Sequence, residues 1–136
     1  MCIRDRYWRE PFQQFHQQLP KQANLNDYLF SCLTWWMEYN KTKADFFVQM
    51  MQSAPYQCLQ TIWGHIDQSL VQIFKQHNIE RRLRYHSDKE RQMMALFYRT
   101  ILWQHLALLT LREEDLEEAK MQLSKQAVML QIGVYK

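Results

Sequence analysis

The stretch Met93–Leu111, MMALFYRTILWQHLALLTL, limits what this chain can become more than any other. Fourteen of its nineteen residues are apolar, interrupted only by Arg99, Thr100, Gln104, His105 and Thr110. A helix on the surface of a globular protein shows one apolar stripe and one wet face. This one is apolar almost all round, so as a helix it must be covered on more than one side. A membrane span needs about 20 predominantly apolar residues, and here Arg99, Gln104 and His105 fall mid-length, so no membrane partner is expected. The chain's own helices can cover one face, and the other calls for a second copy. The expectation is a central helix shared between an internal core and a homodimer seam.

The totals allow one domain. Of 136 residues, 47% are hydrophobic and 14% aromatic, ample for a core. Two Gly and three Pro are too few for a sandwich or barrel, which needs frequent turns. A formal charge of +3 does not by itself point to nucleic acid. Cys2, Cys32 and Cys58 have neither metal-ligand spacing nor an even count, so they read as reduced thiols of a cytoplasmic protein. No apolar segment of signal-peptide type opens the chain. Its first six residues, MCIRDR, resemble translated sequencing-adapter sequence. On that reading residues 1–6 are not native, and residues 7–136 are the C-terminal part of a longer protein.

Along the chain, Trp8, Phe12, Phe15 and Leu19 share one helical face, with Pro11 either starting or kinking that helix. Asn24 or Asn26 can cap a helix over Asp27–Tyr39. Thr42 and Asp45 suggest a capping box for a short helix carrying Phe46, Phe47, Met50 and Met51. Ser53-Ala54-Pro55 then signals another start. The helix it opens runs to about Gln76, with Leu59, Ile62, Trp63, Ile66, Leu70, Ile73 and Phe74 at helical spacing. The polar segment His77–His86 reads as a connector, and Ser87 with Glu90 as a capping box for the central helix. Arg112 marks the next turn, and the acidic run Glu113–Glu118 suits the positive end of a last helix. That helix has Leu116, Ala119, Leu123, Ala127 and Leu130 on one face and Gly133 as its C-cap. The fold class is all-α, a six-helix bundle.

This order and these lengths resemble the C-terminal regulatory domain of TetR/AcrR-type transcriptional repressors, over Tyr7 to Val134. The resemblance implies that residues 7–19 are the connector helix to a DNA-binding domain that is absent here. It also implies a cavity for a hydrophobic or amphipathic small-molecule effector among the middle helices. The candidate walls are Trp35, Trp36, Tyr39, Phe46, Phe47, Met50, Trp63, His65, Tyr98, Arg99 and Trp103. The family's last two helices pair with their copies as a four-helix bundle. The seam would then hold Leu102, His105, Leu106, Leu109, Leu116, Leu123, Ala127 and Leu130. DNA would be met only through the absent N-terminal domain.

Each of these side chains also has a plain reading, as an aromatic or Met residue of an ordinary core, or as a core histidine with satisfied hydrogen bonds. Arg81, Arg82, Arg84, Lys75 and Arg91 form a solvated basic connector balanced by the acidic run, rather than a phosphate patch. No HExxH, GxSxG or glycine-rich phosphate loop occurs, and the five His are scattered. A non-enzyme with no cofactor and no metal site is expected. The alternative function is a stand-alone helical protein–protein interaction module.

Overall fold

The computed structural model describes the backbone of residues 5–19, 24–53 and 56–136, and the side chains of 10–19, 24–39 and 59–136. Five helices follow in order: α1 Asp5–Gln18, α2 Leu25–Ser53, α3 Tyr56–Ile79, α4 Asp88–Thr110 and α5 Leu116–Val134. The all-α expectation holds among the described residues, but the count is five and not six. Residues 27–39 and 42–51 belong to one helix, because nothing between Tyr39 and Thr42 breaks it. A Thr side chain competes poorly as a cap against a backbone ladder that both neighbouring turns already supply. Helix α1 likewise runs through Pro11 and does not start there.

The caps explain the other boundaries. Asn24 Oδ1 accepts the Asp27 N–H at 2.8 Å and starts α2. Ser87 and Glu90 form the expected capping box, each side chain taking the other's backbone N–H at 3.1 Å. Asp115 Oδ1 takes the Glu118 N–H at 2.8 Å, so α5 starts after Glu113 and Glu114. Helices α3 and α4 end alike. Arg81 (φ 58°) and Arg112 (φ 59°) are left-handed. The N–H after each returns to a carbonyl five residues back, Arg82 to His77 at 3.0 Å and Glu113 to Leu108 at 3.0 Å. Glycine is the usual residue at such a position, yet Gly133 lies inside α5, and Tyr135 is the C-cap.

Helix α4 is the centre, packing on α2, α3 and α5, while α5 also meets α2 and α1 meets α3. The core stripe of α3 is Ile62, Ile66, Leu70 and Phe74, every fourth residue and fully buried. Tyr28, Leu29, Cys32, Leu33 and Trp36 of α2 and Met94, Ala95, Tyr98, Leu102, Leu106 and Leu109 of α4 complete it. Burial pushes the Cys32 thiol up to about 12, so it stays an inert core group. At one end the α3–α4 connector is pinned to the chain end by an isolated antiparallel bridge between Leu83 and Tyr135. Arg84 N–H donates to Val134 and Lys136 N–H to Arg82, both at 2.9 Å, with Leu83 buried beneath.

Candidate functional site

Most of the aromatic side chains singled out in the sequence come together where α1, α2, α3 and α4 meet. Trp35 stacks on Tyr39 at 5.0 Å between ring centres, and Trp36 meets Trp103 edge-on at 5.8 Å. Trp103 in turn meets Trp63 edge-on at 5.8 Å. Arg99 lies 4.9 Å from the Trp63 ring centre and is held there by Asp67, with Nε at 3.1 Å from Oδ1. Trp36 Nε1–H donates to Thr110 Oγ1 at 2.8 Å, and that hydroxyl donates to the Leu106 carbonyl. Ring packs on ring throughout, as edge-on aromatic pairs prefer. The side chains of Phe46, Phe47 and Met50 lie outside the described residues.

His65 joins this cluster beside a histidine that the sequence reading passed over. His16 lies 6.3 Å from His65 between ring centres. Its Nδ1 sits 2.8 Å from the Phe12 carbonyl, which only accepts, so Nδ1 carries the proton. Nε2 then accepts from the Tyr28 hydroxyl at 2.8 Å. Burial holds the imidazole below its ordinary range, offset in part by the bond to Phe12 and reinforced by His65. The signal was present: His16 is four residues from Phe12, next to the stripe assigned to Phe12 and Phe15.

Tyr98 stands apart from that cluster. It packs against Phe74 at 5.8 Å and lines a cavity of about 440 Å³ beside the start of α2. Leu25, Phe30, His77, Arg82 and Tyr135 also line this space. His77 Nδ1 and Tyr135 Oη are 2.9 Å apart. Burial lowers the His77 pKa, with the Arg82 charge acting in the same sense. Burial also pushes the Tyr135 phenol up to about 12. The Arg82 guanidinium is 3.1 Å from Glu80 Oε2 and 5.6 Å from the Tyr135 ring centre. Among the described residues, Tyr98 Oη is buried without a hydrogen-bond partner. Sequence spacing could not assemble this site, because its walls come from four segments more than 15 residues apart.

The residues assigned to a dimer seam lie mostly inside the single chain. Leu102, His105, Leu106, Leu109, Leu123 and Ala127 are buried within the single chain, and Leu116 and Leu130 are half-buried. A residue already covered has no surface to offer a second copy. His105 makes the point most clearly: Nδ1 is 2.8 Å from Glu114 Oε1 and Nε2 is 2.8 Å from Gln126 Oε1. It clamps α4, the following turn and α5. The two-sided apolarity of α4 is met by this chain's own α2, α3 and α5. Among the described residues, the large apolar side chains left exposed within these two helices are Met93, Leu96 and Phe97 of α4, and Met121, Val128, Met129 and Ile132 of α5; Ile79, Tyr85 and Leu111 are exposed outside them.

The basic connector is largely engaged internally. Arg84 Nε donates to the Tyr135 carbonyl at 3.0 Å, and Arg91 reaches Asp88, Asn78 and the His86 carbonyl. Among the described residues no group of three or more His, Cys, Asp or Glu is placed to hold a metal ion, and no helix is long and apolar enough to cross a membrane. No family model, no curated protein and no solved structure matches the chain.

Proposed function

We propose that the chain is a ligand-responsive dimerisation domain of a regulator similar to TetR/AcrR-type repressors, acting by binding and not by catalysis. The observation that carries this reading is the apolar side chains left exposed at helical spacing on each of the last two helices. Met93, Leu96 and Phe97 fall at i, i+3 and i+4 of α4, half exposed. Val128 and Ile132 fall four apart on α5, and Met129 and Ile132 are 73% and 76% exposed. Counted outward from the turn between the helices, Phe97 and Met129 stand thirteen residues from Thr110 and Leu116 respectively, so they lie at one level. Single exposed apolar residues are ordinary, but repeated ones at helical spacing on two adjacent helices mark an interaction surface. An isologous contact pairs the same patch on both subunits, and two antiparallel helices from each make a four-helix bundle.

In this reading a hydrophobic or amphipathic effector binds one of two packings of the core more tightly. It shifts the population by that difference in affinity alone. The shift reaches α1, which rests on Trp35 through Phe12 and Phe15. Any DNA contact belongs to a separate N-terminal domain carried on α1. Sedimentation velocity tests the dimer: the parent chain is expected to sediment as a dimer. Phe97→Glu and Met129→Glu are expected to give monomers with unchanged helical circular dichroism, since both side chains are exposed. A monomeric parent chain refutes the reading and favours a module whose open face meets a different protein.

A further inference from the structure

We propose that α1 is a proton-released latch: uptake of a proton by His16 frees the helix from its seat on α2 and α3. In the reading above α1 is the connector, so release uncouples it from the bundle. The device itself stands without the dimer and without an effector.

The helix is lightly held. Among its described side chains only Phe12 is fully buried. Phe12 meets Trp35 edge-on at 5.3 Å, and Phe15 stacks on Trp35 at 5.4 Å. His16 adds the 2.8 Å hydrogen bond to Tyr28 of α2. The helix has 14 residues, and Pro11 within it has no backbone N–H to give. A helix of that length is marginal without packing, so a modest change at the seat decides whether it stays.

The seat fits the neutral imidazole. Nδ1–H donates to the Phe12 carbonyl, and Nε2 accepts from the Tyr28 hydroxyl. A proton on Nε2 sets two hydrogens against each other on that second bond and turns the hydroxyl away. Among the described residues no anion faces the ring to hold the cation. From α2, the Tyr28 phenol is raised well above its ordinary value and the Cys32 thiol to about 12, chiefly by burial, so both keep their protons. From α3, the His65 ring lies 6.3 Å away, and a charge there opposes one on His16. Asp67, which acts on Tyr28 from α3, is spent on Arg99 of α4 at 3.1 Å. Glu10 of α1 and Asp27 of α2 are exposed to water.

The sign follows. Burial, opposed by the bond to Phe12 and reinforced by His65, holds His16 below its ordinary value of 6.5 in the seat. Released into water it returns to that value, so release takes up a proton and is favoured as pH falls through 6.5.

Hydrogen exchange of the full chain tests the latch, each rate being corrected for the intrinsic effect of pH. At pH 7.5 the Phe12–Gln18 amides should be protected, but less than those of Ile66–Phe74, because α1 opens by itself. Their protection should fall about fivefold or more by pH 5.5. In His16→Gln it should stay level between the two. Three results overturn the proposal: α1 amides as protected as the α3 core, protection indifferent to pH, or a fall that persists in His16→Gln. Should His16→Gln leave α1 open at both pH values, the parent's His16 ring resonance decides. It must titrate below 6.5 in step with the loss of protection, and titration at or above 6.5 overturns the latch. Sedimentation reads the dimer separately, so either reading can fail without the other.

Discussion

Replacing His105 with leucine removes two hydrogen bonds at once and strands a carboxylate. The Glu114 side chain is only 10% exposed, and His105 is its partner at 2.8 Å. Water cannot easily take the place of the imidazole there. Breaking a buried, hydrogen-bonded pair from one side leaves the other group unsatisfied, which costs about 3 kcal/mol. Gln126 is half-buried and can turn outward, so it adds little. Glu114→Leu alone should cost about 1 kcal/mol, the loss of one hydrogen bond from a buried ring nitrogen. The double variant leaves neither group stranded and should fall short of the summed losses by about 2 kcal/mol. Urea unfolding followed by the fluorescence of the five Trp measures all three. Protein concentration must be held constant, because association would itself add stability. His105→Leu should also lower the thermal midpoint by about 10 °C for a chain of this length. A His105→Leu variant within about 0.5 kcal/mol of the parent refutes the clamp, and so does a strictly additive double variant.

Two further expectations concern acid and backbone strain. His16 and His77 are both held below the ordinary value of 6.5 in the fold, chiefly by burial. Below that value the unfolded chain takes up protons that the folded one resists, so stability falls as pH drops from about 7.5 to 5.5. His16→Gln should flatten part of that fall, and stability that rises on acidification would refute the assignment. Arg112 sits at φ 59° with its side chain exposed. Arg112→Gly removes the left-handed penalty and should stabilise by about 0.5–1 kcal/mol, read as a higher urea midpoint at unchanged slope. A destabilised Arg112→Gly would show that its side chain matters more than its backbone.

Local signals were legible wherever a neighbour within four residues decides the outcome. The Ser87–Glu90 capping box, the turn at Arg112 and the buried stripe of α3 all follow from spacing along the chain. The same logic failed at Thr42, where a cap signal was overruled by uninterrupted helix on both sides. It failed at Gly133 too: the conformational freedom of glycine does not oblige it to end a helix. Seven of the eleven proposed pocket residues share one aromatic cluster, since a stripe of large rings must pack against something. That these rings meet one another follows from the crossing of four helices, which no single stripe encodes.

By itself, the sequence determined the helical class, most helix ends and the burial of Met93–Leu111 on more than one side. Each of these depends on residues a turn or two apart, where backbone geometry sets who meets whom. Only the tertiary structure decided what covers α4. Helices α2, α3 and α5 bury Leu102, His105 and Leu106, and the open apolar face moves to Phe97, Met129 and Ile132. It alone brought Tyr98 to the cavity beside Leu25, His77 and Tyr135. The physical reason is that periodicity says a face must be covered and is silent on the partner. The partner is chosen by how long helices cross, and that choice joins residues far apart in the chain.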